Sequence, residues 1–402
     1  MDGLTGPMAE TNIEKGDPEG IVQIAGAGPA GLAAAVTLAR AGRRVIVHET
    51  HPEVGYRFGS DLQGLENWST EQDVLDMLRR LGLATGFAAL PCVRGIGFDA
   101  WGERYDIVGK KPLFYLVERG PGPNTLDSAL LNQARSLGVE VSFNSRLDQV
   151  EGPAILATGP KTADAIAVGY HFESDWDDGF WVIYDDDIAP KGYAYLLIMN
   201  GHGTVKSCMF TDFKQEQRYV QRTVEVFQRL VGLEMKNPQP HGGAGNFRIP
   251  ERAVTGVHPV AGEQAGFQDF LWGFGMRYAM LSGVLAARSL LQGEDYDRLW
   301  RKELGSQLWN GQVNRAIFAS LGNHGYRWFL RRNRTKRWDA HLFLHGFYQP
   351  WPVKRLLLPW ARRQLRLRRK DVSCDHMDCH CVWCRHGVQA GAETSCEHEH
   401  KP

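Results

Sequence analysis

The hydrophobic positions change period several times along this chain, and each change marks an element. Ile21, Val22 and Ile24 form a short apolar run suited to a buried parallel strand. A small-residue helix follows from Pro29, and Val45-Ile46-Val47 is a second apolar run that ends at Glu49. Between Phe87 and Val117 the pattern reads as short strands with turns. A helix capped at Asn124 or Thr125 then runs to Gly138. Val139 to Phe143 and Ala154 to Leu156 are two further strands, the latter entering a Gly-Pro turn. From Val168 to Phe210 the strands become rich in aromatic residues, and two β-prone runs around Asn200-Gly201-His202-Gly203 predict a hairpin. A helix over QEQRYVQRTVEVFQRLVG comes next, then a strand, a glycine-rich turn and an apolar helix starting near Met276. Beyond Asp295 the pattern is helical and increasingly basic, with Pro350, Pro352 and Pro359 expected to break it.

A β-α-β opening, an antiparallel insertion and a late return to β-α predict one nucleotide-binding domain interrupted by a second sheet. The expected class is α/β, with a Rossmann-like domain, an inserted antiparallel β-sheet substrate domain and a helical C-terminal region. The boundaries are residues 1–20 for a polar leader and 21–165 for the first nucleotide-binding part, with cap elements near 56–120. Residues 166–245 form the substrate domain, 246–295 the return segment, 296–370 the basic helical region and 371–402 a Cys/His-rich tail.

The opening unit carries the clearest chemistry. Gly26-Ala27-Gly28-Pro29-Ala30-Gly31 joins the first strand to the helix. Gly26 permits the tight turn, Gly28 lets backbone approach a pyrophosphate, and Gly31 lets the helix pack on the strand. The helix N-terminus offers N–H groups and a positive dipole end to the anion. Glu49, eighteen residues after Gly31, stands where a carboxylate accepts hydrogen bonds from an adenosine ribose. A dinucleotide is expected here.

Charge adds little globally, because 46 Lys and Arg balance 46 Asp and Glu. The start lacks the basic and apolar segments of an export signal, and no run spans a bilayer, so a cytoplasmic location is expected, with the inner membrane face as a docking place. From Arg327 to Lys370 basic residues dominate, and KRLLLPWARRQLRLRRK mixes them with Leu and Trp, as a peripheral membrane contact does. No nucleic-acid module accompanies the charge. Of seven cysteines, five crowd the last thirty residues. Cys374, Cys379, Cys381 and Cys384, interleaved with His376, His380 and His386, are of the ligand type that surrounds one zinc ion or an iron–sulfur cluster, although their spacing is not that of a standard zinc ribbon, whose two Cys pairs lie further apart.

GAGPAGLAAAVTLARAGRRVIVHE, the ILATGP strand and GEQAGFQDFLWGFGMRYAMLSGVLAARSL together resemble the three FAD-contacting segments of glutathione-reductase-fold flavoproteins. More narrowly they resemble the branch that holds geranylgeranyl reductases and aromatic-ring hydroxylases. The resemblance implies FAD contacts at Gly26, Gly28, Pro29, Ala30, Gly31, Glu49, Arg57, Arg119, Ala157, Thr158 and Gly159. At the third motif it implies Gly262 and Glu263, where relatives carry Gly-Asp, then Gly273, Gly275 and Met276 against the flavin ring. Trp176, Phe180, Trp181, Tyr184, Tyr193 and Tyr195 form an aromatic crowd able to line a long apolar pocket or a strand core. GYAYLLIMNGHGTVKSCMF resembles the hairpin that geranylgeranyl reductases place beside the isoalloxazine, which puts Tyr193 and Tyr195 first, with Trp181, as the expected substrate-pocket residues. Asp61, Glu66 and His202 are proton-donor candidates, though each reads more simply as a surface loop residue. Only one dinucleotide fingerprint is present, so NAD(P)H in a transient encounter or a protein electron donor must supply the electrons. The expected function is reduction of carbon–carbon double bonds in an isoprenoid or lipid-like substrate. The alternatives are hydroxylation of a small apolar or aromatic substrate and a flavin electron relay or redox sensor.

Overall fold

Strand β1 (Val22–Ala25), helix α1 (Pro29–Arg40) and strand β2 (Val45–His48) form the opening unit of the computed structural model, which describes residues 20–150, 152–160, 163–334 and 339–368. β1 and β2 pair in parallel with Ile24 opposite Val47, both fully buried. Next come β3 (Asp61–Glu66), α2 (Val74–Leu81), β4 (Ala89–Cys92), β5 (Arg94–Asp99), β6 (Arg104–Val108) and β7 (Phe114–Arg119). Helix α3 (Leu126–Ser136) leads to β8 (Glu140–Ser142) and β9 (Ala154–Leu156), completing a parallel sheet in the order β8-β2-β1-β9. Thr125 caps α3 by accepting from the Ser128 N–H, as its position before the apolar periodicity predicts.

The inserted sheet is built from β10 (Ala165–Glu173), β11 (Gly179–Tyr184), β12 (Tyr193–Met199), β13 (His202–Met209), the helix α4 (Glu216–Val231) and β14 (Lys236–Gly245). Its order is β14-β10-β13-β12-β11-β5-β6, and only β11 and β5 pair in parallel. The expected hairpin is present, with Tyr195 opposite Lys206. β5 and β6 come from the stretch assigned to the nucleotide-binding part; the insertion therefore recruits two strands from before it, while β3, β7 and β4 form a separate three-stranded antiparallel sheet. Alternation splits the large sheet into two faces. Ile183, Leu196 and Ile198 pack with Phe227 of α4, and Val182, Tyr193 and Cys208 face the other way.

After two short strands, β15 (Val254–Thr255) and β16 (His258–Pro259), Val260 bridges back to Leu156 in parallel. Helix α5 (Met276–Gln292) then lies on α1. The approach is backbone-close, since a Cβ at Gly283 would stand 2.0 Å from the Ala30 carbonyl oxygen. Helices α6 (Tyr296–Glu303), α7 (Gly305–Arg332), α8 (Ala340–Tyr348) and α9 (Pro352–Arg368) complete the described chain. Two expected breaks behave differently. Pro352 is the first residue of α9, where its missing N–H costs nothing, and Pro359 lies within that helix. The kink falls in α7, where Gly322 adopts φ 61° and ψ −178°. No helix among the described residues is long and apolar enough to cross a membrane. The leader up to residue 19 and the tail cysteines Cys374, Cys379, Cys381 and Cys384 lie outside the described residues.

Candidate functional site

One cavity of about 770 Å³ runs between the parallel sheet and the inner face of the large sheet. Its polar wall comes from the turns that follow the parallel strands. Gly26 takes φ +100°, and a Cβ there would stand 2.3 Å from the Ala157 carbonyl oxygen, so the turn requires glycine. A Cβ at Gly28 would meet no protein atom within 4 Å; it would enter the cavity. Gly28 is also the N-cap of α1 and supplies no side chain to the helix's first N–H groups, which remain available to an anion. Glu49 fixes the rim, one carboxylate oxygen accepting from the Ala27 N–H at 2.8 Å and the other from the His51 N–H at 3.0 Å. Pro29, Ala30, Ala157, Thr158 and Gly159 line the same wall. The Gln264 side chain holds Thr158 through its N–H and its hydroxyl.

The two arginines behave differently. The Arg57 guanidinium comes to 3.4 Å from where a Cβ of Gly159 would stand. Arg119 lines the cavity but is fully engaged by protein: a buried bidentate pair with Asp127 at 2.7 and 2.8 Å, and Gln63 Oε1 at 3.0 Å. It anchors the loop before β3 as much as it faces a ligand, and its guanidinium stacks on Phe58 at 4.0 Å.

Glu263 is half-buried on the cavity wall, where its carboxylate accepts from the Asn246 N–H at 3.0 Å. Burial pushes its acid up to about 7, against the opposing pull of that N–H and of the Arg57 and Arg119 charges. Gly262, Gly273 and Gly275 follow in the expected order; a Cβ at Gly262 would press on Ala30 at 2.8 Å, so its glycine serves packing against α1. Gly275 caps α5 without a side-chain bond, leaving the N-terminal N–H groups at Met276 turned to the cavity.

The cavity's other wall is apolar and aromatic. Tyr193 and Tyr195 sit side by side on it with ring centroids 5.8 Å apart. The Tyr193 hydroxyl donates to the Trp272 carbonyl. The Tyr195 hydroxyl makes no hydrogen bond to a described residue, and burial holds its acidity well below that of an ordinary phenol. Trp181 borders the cavity, but its ring meets Trp176 on the α4 side of the sheet. The large side chains that β11 directs inward are Phe180 and Tyr184. Phe114, Leu197, Trp272 and Phe274 complete this wall. Sequence reasoning missed these because they come from separate elements whose convergence no local period announces. Trp272 is held by the Asp269 carboxylate, which accepts its N–H at 2.7 Å.

The proton-donor candidates are not surface residues, with the exception of His202, which is exposed at the hairpin tip. Glu66 is buried against Arg277 at 2.8 Å. Asp61 is fully buried and meets the Lys206 ammonium at 2.7 Å, which in turn lies 2.8 Å from His241 Nδ1. An ammonium only donates, so Nδ1 must accept, and the Nε2 proton is given to the Arg57 carbonyl at 3.0 Å. Burial raises the Asp61 carboxyl, but the charges of Lys206 and His241 and the hydrogen bonds from Lys206 and Gln63 bring it down to about 2. Burial, then the Lys206 charge, lowers His241 to about 4.

Lys206→Met should leave Asp61 buried without its cation, with only the Gln63 amide and the Thr204 hydroxyl, among the described residues, bonded to its carboxylate, costing about 3–5 kcal/mol of stability in a denaturant titration at neutral pH. Asp61 contributes stability that is present above its unfolded value of 3.8 and lost as the pH falls through about 2. His241 adds to acid sensitivity earlier, because from 6.5 down to about 4 the unfolded chain binds the proton that the folded chain refuses. A Lys206→Met variant as stable as wild type at neutral pH would contradict the pairing.

The residues therefore fit a dinucleotide: Gly28 and the α1 N-terminus leave room for an anion, and the same cavity extends to the aromatic wall. Comparison with known proteins agrees. A family model described as an FAD binding domain matches residues 20–154. Digeranylgeranylglycerophospholipid reductase of Haloferax volcanii is 25% identical over 375 residues, spanning 76% of this chain and 87% of that protein. Among solved structures, a geranylgeranyl bacteriochlorophyll reductase-like protein from Thermoplasma acidophilum superposes with a TM-score of 0.65 at 16% identity, covering 85% of this chain and all of that one. A p-nitrophenol 4-monooxygenase from Pseudomonas putida gives 0.53 at 17% identity, covering 88% of this chain and 99% of the other. CmlS, a flavin-dependent halogenase, gives 0.54 at 17% identity, with 86% and 77% covered.

Proposed function

We propose, from the premise that this chain is a geranylgeranyl reductase-like, FAD-dependent oxidoreductase, that it reduces carbon–carbon double bonds of an isoprenoid or similarly apolar lipid chain. The observation that carries this reading is the aromatic wall: a cofactor cradle opens onto Phe114, Phe180, Tyr184, Tyr195, Leu197 and Phe274, which suits a long hydrocarbon. Reduced FAD, when bound, supplies a hydride. The glycine turns, the α1 N-terminus and Glu49 hold the adenosine diphosphate portion. With FAD bound, Glu263 would accept hydrogen bonds from the ribityl chain, and the α5 N-terminus would favour negative charge on the ring.

The remaining requirement is a proton. One π bond of the substrate is lost and two C–H bonds form, one with the hydride and one with a proton. The Tyr195 hydroxyl, facing the cavity with no described partner, is the donor: burial keeps it protonated until hydride addition leaves a carbon base strong enough to take the proton, and the phenolate then regains one from solvent. NAD(P)H in a transient encounter or a protein donor returns the electrons, because the chain has a single dinucleotide fingerprint. Zinc or an iron–sulfur cluster at Cys374, Cys379, Cys381 and Cys384 rests on ligand type alone, and elemental analysis of tag-free protein reads it directly.

The test is a single turnover without oxygen. Enzyme carrying chemically reduced FAD is mixed anaerobically with a geranylgeranyl lipid. Flavin reoxidation with the substrate two hydrogens heavier is the expected result. Reoxidation that begins only when oxygen is admitted, with one oxygen atom entering the product, would instead make the protein a monooxygenase.

A further inference from the structure

Helix α9 carries two apolar stripes and buries only one. Lys354, Leu358, Ala361 and Leu365, spaced i, i+4, i+7 and i+11, turn inward, with Leu358 and Ala361 packed beside Val313 and Ala316 of α7. Val353, Leu356, Leu357 and Trp360, spaced i, i+3, i+4 and i+7, form a second stripe that faces solvent. Leu356 is 81% exposed, Val353 63% and Trp351, just before the helix, 60%. Of the eleven large hydrophobic side chains exposed among the described residues, five lie in positions 351–360. Concentration of this kind marks a surface made to be covered.

The charges say by what. The sequence of α9 holds six basic residues and no acid. Arg355, Arg362 and Arg363 are exposed; at 100° per residue Arg363 borders the apolar stripe beside Leu356, while Arg355 and Arg362 lie on the face away from it. An exposed apolar stripe on a basic helix without acids, with Arg363 at its edge and tryptophans at both ends, suits an anionic bilayer interface: the stripe enters the acyl boundary and the Arg363 guanidinium stays with the headgroups. A protein partner or a second copy would need a matching acidic surface around an apolar centre.

We propose that α9 docks this protein in the plane of an anionic membrane, with Leu356 and Trp360 inserted, Arg363 at the phosphate level, and the remaining positive charge of an acid-free helix drawing it to the surface. The proposal stands on this surface alone and goes beyond the reductase reading, so each fails separately. The holoenzyme is sedimented with vesicles of phosphatidylglycerol and, separately, of phosphatidylcholine. Binding to the anionic vesicles is expected, with little to the neutral ones. Leu356→Glu should weaken it by about ten-fold or more, while Arg362→Ser with Arg363→Ser should weaken it less and flatten its salt dependence. All variants should keep FAD and the thermal midpoint of the parent, since none touches the cavity. Equal binding to both vesicle types, or unchanged binding by Leu356→Glu, would overturn the proposal. So would a stable dimer that ignores vesicles and that Leu356→Glu splits.

Discussion

Gly28→Val is expected to leave the chain folded and strip it of FAD. The backbone at Gly28 has φ −75° and ψ 177°, which any residue adopts, and an added side chain would meet no protein atom within 4 Å. What it fills is the space in front of the α1 N-terminus, where the pyrophosphate must lie if the cradle works as described. A loss of at least ~100-fold in FAD affinity, about 2.8 kcal/mol, is the expected size. The thermal midpoint of the apoprotein should not move. Gly31→Ala makes the contrast: its methyl group would stand 1.9 Å from the Gly26 carbonyl oxygen, so it disrupts the fold itself. A Gly28→Val protein that purifies with full flavin absorbance would place the cofactor elsewhere.

Tyr195→Phe should reduce turnover by about 10²–10⁴-fold, the usual contribution of a positioned proton donor, while FAD stays bound. The substitution removes one hydroxyl that no described residue needs and leaves the ring against Tyr193, so packing is kept. Loss confined to kcat, with KM nearly unchanged, is the signature of a group acting in the transition state. Tyr193→Phe is the control, because its hydroxyl is committed to the Trp272 carbonyl. That variant should change substrate affinity through the Trp272 turn more than it changes the chemical step. Equal activity of Tyr195→Phe and wild type would move the proton donor to another cavity residue.

Local motifs carried the cofactor half of this molecule legibly. Gly26 to Gly31 and the run to Glu49 sit in one β-α-β unit, so their spacing alone implies their geometry. The third motif was readable for the same reason, although Glu263 replaces the shorter acid. The hairpin at Asn200-Gly201 was legible from its turn residues, and both tyrosines face the cavity as expected. Trp181 shows the limit of such reasoning. Aromatic character alone does not say which face of the strand a ring occupies, and strand alternation gives the inward face to its neighbours Phe180 and Val182. Asp61 and Glu66 were misread as surface residues because a charged side chain in a glycine-rich stretch looks solvated. Their partners Lys206 and Arg277 lie more than a hundred positions away, and only the folded arrangement pairs them. The capture of β5 and β6 by the large sheet is invisible for the same reason: pairing across sequence distance leaves no local mark.

The decisive measurement compares lipid masses in cells with and without this protein. The account predicts isoprenoid lipids that are heavier by pairs of hydrogens when the protein is present, and an unsaturated precursor that accumulates when it is absent. Products heavier by a single oxygen atom, with isoprenoid saturation unchanged, would contradict it.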